Sequence, residues 1–110
     1  MVISMATEQR TIDILFDLLA GLPVSARKMF GEYAIYLDGK TVAFVTDDVF
    51  SLKVTSLEDA RLTNDLLGEA YPGSKMYWRI PMDMLEDREW AERIVSETAE
   101  LIPQPKPKTR

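Results

Sequence analysis

Ile12, Leu15, Phe16, Leu19 and Leu22 recur three or four positions apart, the spacing that puts side chains on one face of a helix. Ile14 and Leu18 widen that stripe. Thr7 can cap the helix, and Glu8 places an acid in the first turn, where the helix dipole favours it. Gly21 and then Pro23 end it. The pattern predicts a helix from about Glu8 to Ala20, lying flat on a core.

The period then changes to two. Residues Ala26 to Phe30 read as a short strand broken at Gly31, and Tyr33 to Leu37 as a second. The second ends at Asp38-Gly39, a strong hairpin signal. A two-residue turn there sets Leu37 opposite Lys40, Ile35 opposite Val42 and Tyr33 opposite Phe44, all with one facing. The next strand, Phe50 to Val54, follows Thr46-Asp47-Asp48. A two-residue loop would set its apolar residues beside Val45 and Ala43. A three-residue loop sets Phe44 opposite Phe50 and Val42 opposite Leu52, which keeps the apolar set together. The three-residue loop is preferred, with Asp48 in a left-handed conformation.

Ser56 and Asp59 suggest the start of a second helix, with Leu62 and Leu66 one turn apart and Gly68 as its end. Pro72-Gly73 is a turn, and Met76 to Ile80 a strand closed by Pro81. Asp83 with Glu86 fits a cap followed by an acid, and Asp87 can cap a longer helix. Trp90, Ile94 and Leu101 form that helix's stripe, with Ala91 and Ile102, and Pro103 stops it. The fold class is α+β, a two-layer arrangement of an antiparallel sheet with helices on one face. Its predicted order is helix, three or four strands, helix, one or two strands, helix. Residues 1–102 read as one domain and residues 103–110 as a disordered Pro/Lys tail.

Composition narrows the chemistry. The chain has no cysteine and no histidine among its 110 residues. Thiolate sites, disulfides, the commonest general base and the commonest zinc ligand are therefore excluded. Net charge is −5, and Lys106, Lys108 and Arg110 in the tail leave the body more acidic still. An acidic body repels phosphate backbones, so direct nucleic-acid binding is not expected. Met1-Val2-Ile3-Ser4-Met5 lacks the basic region of a signal peptide, and no run is long enough to span a membrane. The cytoplasm is the expected compartment.

Two blocks carry a resemblance. The first is Arg27-Lys28-Met29-Phe30-Gly31-Glu32-Tyr33-Ala34-Ile35-Tyr36-Leu37-Asp38-Gly39-Lys40. The second is Tyr77-Trp78-Arg79-Ile80-Pro81, followed by Leu85-Glu86-Asp87 and Trp90-Ala91. Together they resemble the TfoX N-terminal domain family, over about Ile12 to Leu101. Glu32 and Ala34 stand where many members have glycine. The resemblance implies a cytoplasmic bacterial regulator of competence for DNA transformation. The best-known members act on transcription with the cyclic-AMP receptor protein and carry a second, C-terminal helical domain. This chain ends after the first. The family offers no agreed catalytic residues to carry over.

Candidate sites are few. Gly39-Lys40-Thr41 matches the end of a phosphate-binding loop, but Ala34 replaces the first glycine and a strand follows the lysine, so a hairpin turn is the better reading. Asp47 and Asp48, with Asp38 or Glu32, could approach a cation, but adjacent aspartates in a hairpin loop are turn formers first. Arg27 and Lys28 point to opposite faces of a strand; they read first as a solvated sheet edge that blunts strand-to-strand aggregation, and second as an anion or nucleic-acid contact together with Lys75 and Arg79. Tyr33 and Tyr36, like Tyr77 and Trp78, face opposite ways, so one of each pair can be core and the other free for contact. Met29, Met76, Met82 and Met84 read as core filler. The candidate partner-binding residues are Arg27, Lys28, Tyr36, Tyr77 and Arg79. The expected function is regulatory protein binding without catalysis, metal or cofactor, with transcription machinery as a candidate partner. The alternative is a module that binds a small molecule or nucleotide between helices and sheet. A free sheet edge also leaves room for a homodimer.

Overall fold

Among the described residues six antiparallel strands form one sheet, in sequence order except that the sixth lies between the fourth and the fifth. The computed structural model describes residues 7–104. The readings made on Met1 to Met5 and on the tail beyond Gln104 lie outside them. The strands are β1 (Ser25–Met29), β2 (Glu32–Leu37), β3 (Lys40–Thr46), β4 (Val49–Lys53), β5 (Leu67–Glu69) and β6 (Met76–Ile80). Helix α1 (Gln9–Leu18) precedes the sheet and α2 (Arg88–Leu101) follows it. The α+β class and the antiparallel sheet agree with the sequence. The second helix does not: Thr55 to Thr63 holds no helix, and only a 3-10 turn forms at Asn64–Leu66. Asp59 explains why. Its Oδ1 accepts from Arg61 N at 2.9 Å and from Trp90 Nε1 at 3.0 Å, which ties the segment to α2 instead of starting a helix.

Three consecutive hairpins turn in two residues. Met29 pairs with Glu32, Leu37 with Lys40 and Thr46 with Val49. The central residues Phe30-Gly31, Asp38-Gly39 and Asp47-Asp48 all have positive φ, from 52° to 84°. That geometry matches the right-handed twist of the flanking strands. The expected three-residue loop at Asp47-Asp48 is therefore corrected to two. The cause lies one strand earlier. Tyr36 pairs with Thr41 but Ile35 pairs with Ala43, so Val42 is an extra residue, a β-bulge. Beyond it every side chain of β3 changes face. Val45, not Phe44, joins the core opposite Phe50, and Phe44 turns to the other side.

The core fills the space between helices and sheet. Ile12, Leu15 and Leu18 of α1 and Trp90, Ala91, Ile94, Val95 and Ala99 of α2 meet Ile35, Val45, Phe50, Leu52, Trp78 and Ile80. Phe50 is fully buried, and truncating it to alanine would cost about 3–5 kcal/mol. Leu101, expected in the stripe, is exposed, as is Ile14. Asp87 caps α2 as expected, accepting from Trp90 N at 3.3 Å. Met82–Glu86 forms a 3-10 turn without the side-chain cap expected at Asp83. Thr7 does not cap α1 either. Its Oγ1 donates to Glu32 Oε1 at 2.6 Å, and Asp48 from the third hairpin takes over. Asp48 Oδ1 accepts from Glu8 N at 3.0 Å and Thr11 Oγ1 at 2.7 Å.

Candidate functional site: the uncovered sheet face

Both α-helices pack on the same face of the sheet. Strand alternation assigns the other face to Arg27, Met29, Glu32, Ala34, Tyr36, Phe44, Thr46, Ser51, Tyr77 and Arg79. The loop after β5 folds over part of it. Tyr71 from this loop meets Phe44 edge-on, with ring centroids 5.9 Å apart, and Tyr77 also meets Phe44 edge-on, at 5.7 Å. Such edge-to-face pairs contribute about 0.5–1.5 kcal/mol each beyond burial. Burial, together with the nearby Tyr71, pushes the Tyr77 hydroxyl pKa up.

Arg79 holds the loop down. Its Nη1 donates to Glu69 O at 2.8 Å and lies 3.4 Å from Ala70 O, 3.3 Å from Ser51 Oγ and 3.4 Å from Thr46 Oγ1. Thr46 Oγ1 in turn donates to Ala70 O. Gly68 makes room, since a Cβ there would stand 3.0 Å from Arg79 Cδ. The loop closes on itself through Ser74 N to Tyr71 O at 3.0 Å and Ala70 N to Ser74 Oγ at 3.0 Å. Arg79 is paired with no carboxylate among the described residues. Its Nη1 is turned to backbone and hydroxyl oxygens of this loop and of β3 and β4, which ties the segment that carries Tyr71 to the sheet.

Of the clefts that Tyr71 borders, two exceed 400 Å³. One, of about 470 Å³, lies among Glu32, Thr46, Asp47, Glu69, Pro72 and Arg79. The other, of about 410 Å³, is almost wholly apolar and is lined by Met29, Phe30, Tyr33, Phe44 and Tyr71 with Glu32 and Thr46. Phe30 stands fully exposed at its rim, at φ 52°. A bulky side chain in the left-handed region costs free energy, and the hairpin has glycine in only the second of its two turn positions.

Four of the five partner-binding candidates share this face. Tyr77 is its buried floor, Tyr36 is half-buried on β2, Arg27 is exposed on the edge strand and Arg79 is the anchor. Lys28 does not share it, because it pairs with Tyr33 on the helix side. Sequence reasoning missed Phe30, Phe44 and Tyr71. Phe44 was hidden by the bulge. Tyr71 had a signal, an aromatic residue directly before Pro72-Gly73.

The remaining candidates have structural roles. Lys40 Nζ donates to Ala99 O at 2.7 Å, in the last turn of α2 where a cation suits the dipole. Glu32 Oε1 accepts from Thr7 N at 3.0 Å and Asp47 N at 3.3 Å as well as from Thr7 Oγ1. Among the described residues no three acidic side chains converge to hold a metal ion. No described helix is long and apolar enough to cross a membrane. What the face offers is aromatic and methionine surface with a polar rim, the composition of an interface core.

Residues 17–102 match the family model of the TfoX N-terminal domain. The chain is also similar to a Spirochaeta aurantia protein described as an uncharacterized 12.7 kDa protein in the trpE 5' region. The two are 38% identical over 87 residues, which cover 79% of this chain and 75% of that one.

Proposed function

Because the chain belongs to the TfoX N-terminal domain family, we propose that it is a regulatory domain that binds a protein partner on its uncovered sheet face. One observation carries the reading. The helices cover one side of the sheet, while Met29, Phe30, Phe44 and Tyr71 gather on the other. Large aromatic side chains and methionine, with charged groups at the rim, are the residue types that carry binding energy at interfaces. The proposed action is non-catalytic and cytoplasmic, and it reaches transcription through that partner. The test is capture from a nuclease-treated lysate of the source organism, with the full chain and a Tyr71→Ala variant as baits. A protein retained in stoichiometric amount by the first and lost by the second supports the proposal. Equal capture by both, or no specific capture, rejects it.

The cleft at Arg79 favours a second reading, a small polar ligand held beside Thr46 and Glu69. It lies on the open face of the sheet, not between helices and sheet. A ligand that binds only the folded chain would raise its melting temperature, so a thermal-shift screen distinguishes this reading.

A further inference from the structure

β1 is an outer strand of the sheet, and among the described residues nothing pairs with its outer side. Its five residues pair with β2 without a break in register. Met29 and Glu32 close a two-residue turn and form a hydrogen-bonded pair, and such pairs alternate along an antiparallel ladder. Arg27 and Ser25 therefore bond to β2, while the N–H and C=O groups of Ala26 and Lys28 point outward. No proline interrupts the strand and no bulge bends it away. The other edge, β5, has three residues, and Glu69 O there already accepts from Arg79 at 2.8 Å.

The side chains on this edge select what can pair with it. Arg27 and Lys28 are exposed and lie on opposite faces of the sheet. Neither is ion-paired with a carboxylate among the described residues, in a chain whose net charge is −5. A second copy of β1 laid antiparallel in full register would set Arg27 directly against Arg27. One step toward Met29 would set Arg27 against Lys28 twice. Like charges directly opposite destabilise a strand pair, so the same two residues that keep a second copy off favour a strand with two adjacent carboxylates. Nucleic acid carries the negative charge but no matching row of amide donors and acceptors. Met29, on the face of Arg27 and 38% exposed, adds an apolar position beside the acidic pair.

We propose that β1 is a docking edge for an extended acidic segment of another protein, which adds a further strand to the sheet. The backbone of that segment bonds Ala26 and Lys28, its two carboxylates face Arg27 and Lys28, and an apolar side chain lies by Met29. The edge is separate from the face beside Tyr71, so this proposal fails or holds independently of the reading of that face.

The test titrates the full, isotope-labelled chain with a peptide of strand length, about eight residues, that alternates threonine and valine around a central Glu-Glu pair. Slowed hydrogen exchange at the Ala26 and Lys28 amides is expected, with affinity falling severalfold at high salt. A Lys-Lys peptide should bind about tenfold or more weakly, and Arg27→Glu with Lys28→Glu should reverse that preference. N-methylation of one alternate set of peptide amides should abolish binding, and of the other set should leave it. No binding of the Glu-Glu peptide, equal binding of both peptides, or amide changes centred on Tyr71 and not on β1 would overturn the proposal. So would tighter binding of a single-stranded oligonucleotide, or Ala26 and Lys28 amides already protected in the chain alone.

Discussion

The ring of Phe44 meets the ring of Tyr71 at 88°, on the side of the sheet that neither described α-helix covers. The contact joins a strand to a loop that Arg79 pins in place. Tyr71 is 48% exposed, so its contribution to folding is small and its exposed surface remains free for contact. Tyr71→Ala should lower stability by only about 0.5–1.5 kcal/mol, the worth of one aromatic pair. It should weaken partner binding by about tenfold or more, since a central aromatic anchor commonly contributes over 1.4 kcal/mol. Thermal melting beside a binding titration checks both.

Asp59 gives the fold a measurable response to acid. Its side chain is 7% exposed. Burial pulls its pKa up, but hydrogen bonds from Arg61 N, Trp90 Nε1 and Arg93, with the charge of Arg93, outweigh that and hold it below the ordinary 3.8. The unfolded chain therefore takes up a proton at a pH where the folded chain still refuses it. The stabilisation is whole above the unfolded value and drains away as pH falls through the folded one. Asp59→Asn should cost about 1–2 kcal/mol at neutral pH, with the gap to wild type closing below about pH 4. Asp87, held low chiefly by the hydrogen bond from Arg61, leaves a residual acid slope in the variant. Denaturant melts across pH 2–7 read the difference.

Asp47 and Asp48 share one turn but not one role. Both have positive φ, at 52° and 62°. Glycine at either place removes backbone strain of about 0.5–1 kcal/mol. Asp47→Gly should therefore raise stability by about that amount, because only its backbone N–H is used, by Glu32. Asp48→Gly should lower it by about 1 kcal/mol net, because Glu8 N and Thr11 Oγ1 lose their shared acceptor at the start of α1. Opposite shifts in melting temperature check the assignment.

Much of the fold was legible because local rules agreed with it. The α1 stripe apart from Ile14, the Asp38-Gly39 turn, Met76–Ile80 and the Asp87 cap all appear where spacing and turn chemistry place them. The Val42 bulge was not legible. It is set by which residues the helices bury, a tertiary choice that leaves no local mark, and it reverses the facing of Phe44 and Val45. The segment around Asp59 misled for a related reason, because its side chain is taken by Trp90 and Arg93 from 31 and 34 residues away. The candidate face was half visible. Tyr36, Tyr77, Arg79 and Arg27 could be named from strand alternation, whereas Phe44 and Phe30 depended on the bulge and on a turn that sequence reading had placed in a strand.

Phe30 offers the most direct test of the account. It is fully exposed, at left-handed φ, in a turn position where asparagine before glycine would be favoured. For folding alone it is a poor residue there, and the proposed partner binding would account for it. Phe30→Asn should raise stability by about 1 kcal/mol, or roughly 4–8 °C in melting temperature, while sharply reducing capture of the partner. A variant that melts higher and binds the partner as well as wild type would contradict the account.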